Sequence, residues 1–282
     1  MGHIRWVAGV DQEEAGRAGE SCVMIDRHAN HKSYGAGRVH RFVIIAAPRT
    51  GSNLLCSLLN SHPAIVCHHE LFNPDRIHYC LDCPQDVDFG SIEERDREPL
   101  KFLERVWRCA LNKSALGFKL SRGQNELVLQ TVMADRDVKK IVLGRSNRVK
   151  TCVSEKVARE SGRWESYGAS ESCSNRIKVK LEVDELLRHI DLNSDYYEFV
   201  RRRLCDLHQP YLDTAYERLT SKDEWVRILK FLEVEPHEMD LVPRTRKQTP
   251  RDLREVVVNF NEVARAVKGS PLDRELHSVD CD

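Results

Sequence analysis

The segment Pro48–Asn53, which reads PRTGSN, carries the strongest chemical signal in the sequence. It lies between the apolar run Arg41–Ala47 and the helix-like stretch Asn53–Asn60. A helix that starts after a buried strand presents unpaired backbone N–H groups and the positive end of its dipole, and these bind anions. Gly51 lets the backbone approach a ligand closely because it has no side chain. Further donors for a tetrahedral group come from Arg49, Thr50, Ser52 and Asn53. The segment up to Leu55 therefore predicts an anion loop, and the alternative is a plain strand–helix turn.

This loop differs from the phosphate-binding loop of nucleoside triphosphatases. That motif requires GxxxxGK followed by Ser or Thr. Here no glycine stands at the required earlier position, no lysine follows Gly51, and Arg49 is the cation of the loop. A kinase of the P-loop type is therefore disfavoured, although it stays an alternative, as does a nucleotide-binding protein that has lost catalysis.

A second cluster of chemically active residues surrounds Cys80 and Cys83, which form a single CxxC pair near His68, His69 and His78. A structural zinc site needs four ligands in tetrahedral geometry, and this spacing matches no known zinc finger. The following Pro84 and the acidic neighbours disfavour a redox CxxC at the start of a helix. We therefore expect no metal. Because the chain is long and shows no export signal, most of its ten cysteines are expected to be reduced. Examples in helix-like stretches are Cys56, Cys109 and Cys152.

Strand-like and helix-like segments alternate along the chain, and they must position these residues. The apolar runs predict strands at Arg41–Ala47, Ile65–Cys67, Leu116–Leu120, Lys140–Leu143 and Leu212–Tyr216. Helical spacing predicts helices at Asn53–Asn60, Leu100–Leu111, Val149–Arg159, 182–208, 221–233 and Asp252–Val267, with an irregular insertion over 73–97. This order predicts an α/β fold with a mostly parallel central sheet and helices on both faces. Ligands bind outside the carboxyl ends of such strands, so the loops after Ala47, Val66 and Leu143 are the candidate sites.

Composition and charge limit the partners and the location. Lys plus Arg and Asp plus Glu each number 44, so the formal net charge is zero, which argues against nucleic acid or an anionic membrane as the main partner. The sequence contains no apolar run of the length that a membrane span needs and no signal-peptide core, which predicts a cytoplasmic protein. Residues 1–38 are polar and predict a loosely ordered extension, followed by one domain over 39–276.

Four segments, in order over roughly residues 41–270, resemble the sulfotransferases that use 3′-phosphoadenylyl sulfate (PAPS), in particular the branch with bacterial trehalose sulfotransferase and nodulation-type sulfotransferases. They are IIAAPRTGSNLLCSLLNSHP, HHELFNP with Glu70, IVLGRSNRVKTCVSEKVA, and the tail segments AYERL, WVRILKFLEV, RKQ and VVNFNEV. Many cytosolic relatives have Lys in place of Arg49 and an Arg-x-Pro start where this chain has Arg145-Ser146-Asn147. The CLDC segment at Cys80 matches nothing in the family.

The resemblance implies a P-loop-like three-layer fold and transfer of a sulfuryl group from PAPS to a hydroxyl acceptor, without a metal. The expected acceptor is a carbohydrate or glycolipid, and a phenolic hydroxyl or a peptide tyrosine is the alternative. It places the 5′-phosphate on Pro48–Asn53 and gives Arg49 the bridging oxygen as well. Arg145 and Ser154 would hold the 3′-phosphate, which requires that Arg145 end a strand and that Ser154 lie within the next helix. In the late basic segment, Arg246 and Lys247 resemble residues that also reach the nucleotide.

Glu70 is the candidate general base for the acceptor hydroxyl in this resemblance. A carboxylate does this work when partial burial raises its pKa toward neutrality. His68 and His69 are alternatives, because imidazole titrates in the suitable range. The basic run Arg201–Arg203 is predicted to be a solvated helix face.

Overall fold

The computed structural model describes residues 38–164, 177–236 and 252–279. Five strands run along the chain: β1 (His40–Ala46), β2 (Ile65–His68), β3 (Ala115–Ser121), β4 (Val138–Gly144) and β5 (Tyr211–Ala215). The helices are α1 (Ser52–Asn60), α2 (Ile92–Arg97), α3 (Pro99–Arg108), α4 (Glu126–Ala134), α5 (Arg148–Ser161), α6 (Val183–Asp206), α7 (Lys222–Leu232), α8 (Phe260–Val267) and α9 (Pro271–His277). Short 3₁₀ turns cover Tyr216–Arg218 and Leu253–Glu255.

The strands form one sheet in the order β2-β3-β1-β4-β5, and all of its pairings are parallel. The central strand β1 is buried from Phe42 to Ala46 and pairs with β3 and β4. Continuous apolar runs are typical of strands that are covered on both faces. Because every strand points the same way, the five carboxyl ends meet at one edge. The predicted parallel α/β fold is confirmed.

Helices cover both faces of the sheet. Phe42 and Ile44 pack with α1 and α7 on one face, whereas Val43 and Ile45 pack with α3, α4 and the second half of α6 on the other. This separation follows from the alternation of side chains along a strand. A third apolar cluster joins α5 to α8 and α9. The molecule therefore has the three layers that the sequence predicted.

Three features of the fold differ from the sequence prediction. The insertion contains a short helix, α2, which begins at a capping box formed by Ser91 and Glu94. Helix α4 was not predicted. The single helix predicted over Asp252–Val267 is wrong: a 3₁₀ turn comes first, and α8 begins only at Phe260. The helix is interrupted by a single-residue parallel bridge between Val179 and Val257, which has turns on both sides.

No helix in the described ranges is long and apolar enough to cross a membrane. The seven cysteines that the structure describes are all free thiols, as the sequence predicted.

Candidate active site

Polar side chains converge at the carboxyl edge of the sheet, in an order set by the strands. Glu70 follows β2, the loop Pro48–Gly51 follows β1 in the centre, Arg145 follows β4, and Tyr216 follows β5. Neighbouring strands are about 4.8 Å apart, so Glu70 lies about two strand spacings from the loop on one side and Arg145 about one spacing away on the other.

The loop after β1 has a backbone that opens toward this edge. Arg49 and Gly51 both have positive φ angles, 64° and 89°. The Thr50 hydroxyl donates a hydrogen bond to the Ala47 carbonyl at 2.8 Å, which fixes the turn. Gly51 is the N-cap of α1 and has no side chain to cap it. Within the described ranges, no side chain caps the first turn of α1, which is a condition for anion binding at a helix start.

Tyr216 explains why a glycine stands at position 51. A Cβ atom added to Gly51 would lie 2.3 Å from Cδ2 of the Tyr216 ring. The guanidinium carbon of Arg145 lies 4.6 Å from the centre of the same ring, which is a cation–π contact. Arg145 Nη1 also donates to the Arg49 carbonyl at 3.4 Å. Burial lowers the pKa of Arg145, partly offset by Tyr216 and Glu217, but a guanidinium stays charged at neutral pH.

Arg49 joins the loop to the helix after β4. Its Nε donates to Ser154 Oγ at 3.0 Å, and its Nη1 donates to the Trp164 carbonyl. Ser154 is buried within α5, and Arg145 directly follows the last residue of β4. The secondary-structure condition for the Arg145–Ser154 pair is therefore met, and Arg49 contacts both residues.

Carboxylates already occupy the start of α5. The Ser146 amide donates to both Glu217 oxygens at 3.1 Å, and the Arg148 amide donates to Glu275 at 2.6 Å. Asn147 caps the helix through the amide of Lys150. By contrast, the first turn of α1 contains no acidic residue, and no side chain in the described ranges caps it.

Tyr197 of α6 links the carboxyl ends of β1 and β4 through hydrogen bonds. Its hydroxyl accepts from the Ala47 amide at 2.9 Å and donates to the Leu143 carbonyl at 2.6 Å. Both partners lie where their strands end, so this buried hydroxyl fixes the separation of the two loops that follow.

Glu70 is held by three neighbours. Its Oε1 accepts from Ser121 Oγ at 2.9 Å and pairs with Lys119 Nζ at 3.1 Å, while Oε2 accepts from Asn73 at 2.7 Å. Burial raises the pKa of Glu70, but Lys119 and the hydrogen bonds outweigh it and bring the pKa to about 2. The expectation of a pKa near neutrality is therefore wrong, because a buried ammonium faces the carboxylate.

Lys119 connects this acidic centre to the anion loop. Its side chain is only 4% exposed, and its ammonium also donates to Asn53 Oδ1 in the first turn of α1. A buried lysine is rare unless it is paired. Lys119 was not predicted, although a lysine inside the apolar run ALGFKLS was the available signal.

The two histidines before Glu70 are both buried. Burial, and then the neighbouring His69, lower the pKa of His68 to about 4, so His68 is neutral at pH 7. Its Nδ1 accepts a hydrogen bond from the Cys80 amide at 3.2 Å.

A cavity of about 840 Å³ opens beside the loop, between the ends of β4 and β5 and helix α6. Thr50 and Arg145 line it, as do Arg201 and Arg202 of the run predicted to be solvated. Arg201 is paired with Asp213 at 2.5 Å. The cavity is large enough for a nucleotide-sized ligand and has a basic lining.

The structure thus brings Pro48–Asn53, Glu70, Arg145 and Ser154 to one edge. Arg246 and Lys247 lie outside the described residues. Like Lys119, Tyr197 and Tyr216 were not predicted, because aromatic residues in a helix and after a strand are typical of packing.

No protein-family model matches the chain. Nodulation protein H of Rhizobium tropici is 27% identical over 237 residues, which cover 82% of this chain and 90% of that protein.

Two solved structures are also similar to the chain. A sulfotransferase from Alicyclobacillus acidocaldarius is 18% identical, over 86% of this chain and 95% of that one, with a TM-score of 0.41. Mouse sulfotransferase SULT7A1, complexed with PAP, is 14% identical, over 85% and 89%, with a TM-score of 0.40. These scores are too low to add weight, and the fold rests on the strand order itself.

The match to Nodulation protein H extends over most of the chain and most of that protein. Together with the four segments quoted above, it supports the sulfotransferase family, in its nodulation-type branch, as the family of this chain.

Proposed function

We propose that the protein transfers a sulfuryl group from PAPS to a hydroxyl of a carbohydrate or glycolipid. The observation that carries the proposal is the contact network of Arg49, Ser154 and Arg145. These residues come from three separate segments and meet beside the open start of α1.

The chemistry of the donor fits this network. PAPS carries a phosphosulfate at the 5′ position and a phosphate at the 3′ position, so its binding site needs two anion sites. The loop Pro48–Asn53 supplies the first, with Arg49 as a planar donor fork for the bridging oxygen. Arg145 and Ser154 supply the second.

Sulfuryl transfer needs in-line geometry and positive groups where charge gathers on the leaving oxygen. Arg49 is one such cation. Lys119 is the second, because it lies between Asn53 and Glu70 and is shielded from solvent. A shielded cation acts more strongly than an exposed one.

Glu70 binds and orients the acceptor hydroxyl in this proposal. Its carboxylate is ionised at neutral pH, and Ser121 and Asn73 fix its direction. With a pKa of about 2 it is a weak base for a free hydroxyl. It takes the proton as the new S–O bond makes that hydroxyl acidic.

The donor is tested by calorimetric binding of adenosine 3′,5′-bisphosphate beside ATP and 5′-AMP. We expect selective binding of the bisphosphate, weakened about tenfold or more in Arg145→Ala and in Ser154→Ala, since charge-assisted hydrogen bonds contribute about 1.5–3 kcal/mol. Arg203→Ala, an exposed arginine of α6 outside the cavity, is the matched control and should bind as wild type does. Equal binding of ATP, or binding of no nucleotide, would overturn the donor assignment.

The acceptor is tested with sulfur-labelled PAPS and a panel of disaccharides, glycolipids, phenols and tyrosine peptides. We expect label on the carbohydrate or glycolipid hydroxyls, and a large loss of transfer in Glu70→Gln with bisphosphate binding retained. Transfer to phenols or peptides alone would refute the carbohydrate assignment and leave the donor assignment intact.

A further inference from the structure

Three side chains of types that commonly bind metals meet at the end of β2, outside the network of Arg49, Ser154 and Arg145. His68 is the last residue of β2, and Cys80 and Cys83 lie in the connection between β2 and α2. One ring nitrogen of His68 and the two thiol sulfurs all lie within 4.8 Å of one another. In a tetrahedral zinc site the Zn–S and Zn–N distances are about 2.3 and 2.0 Å, so neighbouring ligand atoms are about 3.5–3.8 Å apart. Small side-chain rotations would therefore close this group around an ion.

One of the two ring nitrogens of His68 has no hydrogen-bond partner among the described residues. It is fully buried, and its Nδ1 contacts the Cys80 amide, so the ring faces the CxxC turn. Its Nε2 is buried and has no hydrogen-bond partner in the described part of the chain. A neutral imidazole has one lone pair and one N–H, so an ion at Nδ1 would replace the Cys80 amide as the partner of that lone pair, while Nε2 keeps the proton.

The CxxC turn is built to present both thiols together. The Cys83 amide donates to the Cys80 carbonyl at 3.1 Å, which closes a tight turn. Cys80 is 8% exposed and Cys83 is half-buried, so an ion and a water molecule can enter from the Cys83 side.

Donor type and charge select the ion. Two thiolates and a neutral imidazole suit Zn²⁺ among divalent ions, because soft sulfur ligands favour it over Mg²⁺ or Ca²⁺. Two thiolates also balance the charge of Zn²⁺, so the centre is neutral where it is buried, which avoids the cost of an unpaired buried charge.

We propose that His68, Cys80 and Cys83 bind a structural Zn²⁺ ion that ties the β2–α2 connection to the end of β2. Glu70 lies two residues after His68, so the ion would also hold the acceptor side of the site in place. The inference departs from the expectation of no metal, and it does not depend on the proposed transferase activity.

The test uses the full chain, purified with reductant and without chelator, then assayed for zinc by elemental analysis. We expect about one zinc per chain. After metal removal, Co²⁺ should produce thiolate charge-transfer absorption and the d–d bands of a tetrahedral centre, and Zn²⁺ should displace it.

Cys83→Ser is the main variant, because Cys83 is only half-buried and its loss leaves the core intact. It should weaken Co²⁺ binding by more than about tenfold, since even outer-shell changes cost that much. His68→Asn should do the same, with circular dichroism checking the fold of each variant. Cys205→Ser, an exposed thiol at the end of α6, is the matched control and should bind as wild type does.

Zinc-free protein whose Co²⁺ spectrum lacks thiolate bands, or binding unchanged in folded Cys83→Ser, would overturn the proposal. A Cys80–Cys83 disulfide that persists under reductant would overturn it too.

Discussion

Replacing Glu70 with glutamine should destabilise the protein by an amount that depends on pH. In the folded protein the carboxylate faces Lys119 and accepts hydrogen bonds from Ser121 and Asn73, and its pKa is about 2 instead of 4.5. A carboxyl group with a lowered pKa stabilises the fold fully above its unfolded pKa. That stabilisation is lost as the pH falls through the folded pKa.

The size of the effect follows from these pKa values. Lowering the pKa of Glu70 from 4.5 to about 2 contributes about 3.4 kcal/mol at pH 7, at about 1.4 kcal/mol for each pH unit. At about pH 3.5 the unfolded carboxyl is mostly protonated while the folded one is not, and about 2 kcal/mol remains. The cost of Glu70→Gln should therefore shrink by about 1.4 kcal/mol between the two conditions.

The assay is urea denaturation of wild type and Glu70→Gln at pH 7 and at about pH 3.5, at fixed ionic strength, with m-values compared to check two-state behaviour. Glu104→Gln is the control, because Glu104 forms an exposed pair with Arg108 on α3. Exposed pairs contribute about 0–1 kcal/mol, so this variant should change little at either pH.

An equal cost of Glu70→Gln at both pH values would refute the reasoning, since it would mean that the carboxyl titrates alike in the folded and unfolded chain. A cost at pH 7 no greater than that of the control would refute it as well, and would mean that Lys119 does not hold Glu70.

Two further predictions concern the backbone around the loop. Gly51→Ala should lower the melting temperature more than Gly123→Ala, because both glycines have positive φ angles (89° and 83°) but only an added Cβ at Gly51 would meet another described atom, in the Tyr216 ring. Equal decreases of the melting temperature in the two variants would show that the Tyr216 ring moves aside without an energetic cost. Tyr197→Phe should cost about 1–3 kcal/mol of unfolding free energy, since it leaves a buried amide and a buried carbonyl unpaired. Tyr196→Phe is its control, because that neighbouring hydroxyl is buried without a hydrogen-bond partner in the described ranges and its loss should be neutral; equal costs in denaturant titrations would contradict the proposed fastening of β1 to β4.

Much of the fold could be read from the sequence because its signals are local. The apolar run at Arg41–Ala47 has the length of a buried strand, and a helix-like stretch follows the glycine at position 51. The same pattern predicted that the loop Pro48–Asn53 would lie at a carboxyl edge. Parallel order then followed from the alternation of strands and helices.

Local signals failed where distant contacts decided the conformation. The helical spacing of Asp252–Val267 was real, but the backbone of Val179 pairs with Val257 and interrupts the helix before α8. The residue pattern within the segment does not indicate that it pairs with Val179.

The sequence by itself thus determined the strands and the place of the loop Pro48–Asn53, and it predicted which residues bind anions, because these depend on side chains a few positions apart. The tertiary structure alone decided the pKa of Glu70, since a pKa depends on the charges and solvent around a group, and Lys119 reaches it from another strand. It also decided the contact of Tyr216 with Gly51 and the meeting of His68 with Cys80 and Cys83, because the order of strands in the sheet and the path of the connecting loop, and not spacing along the chain, set those distances.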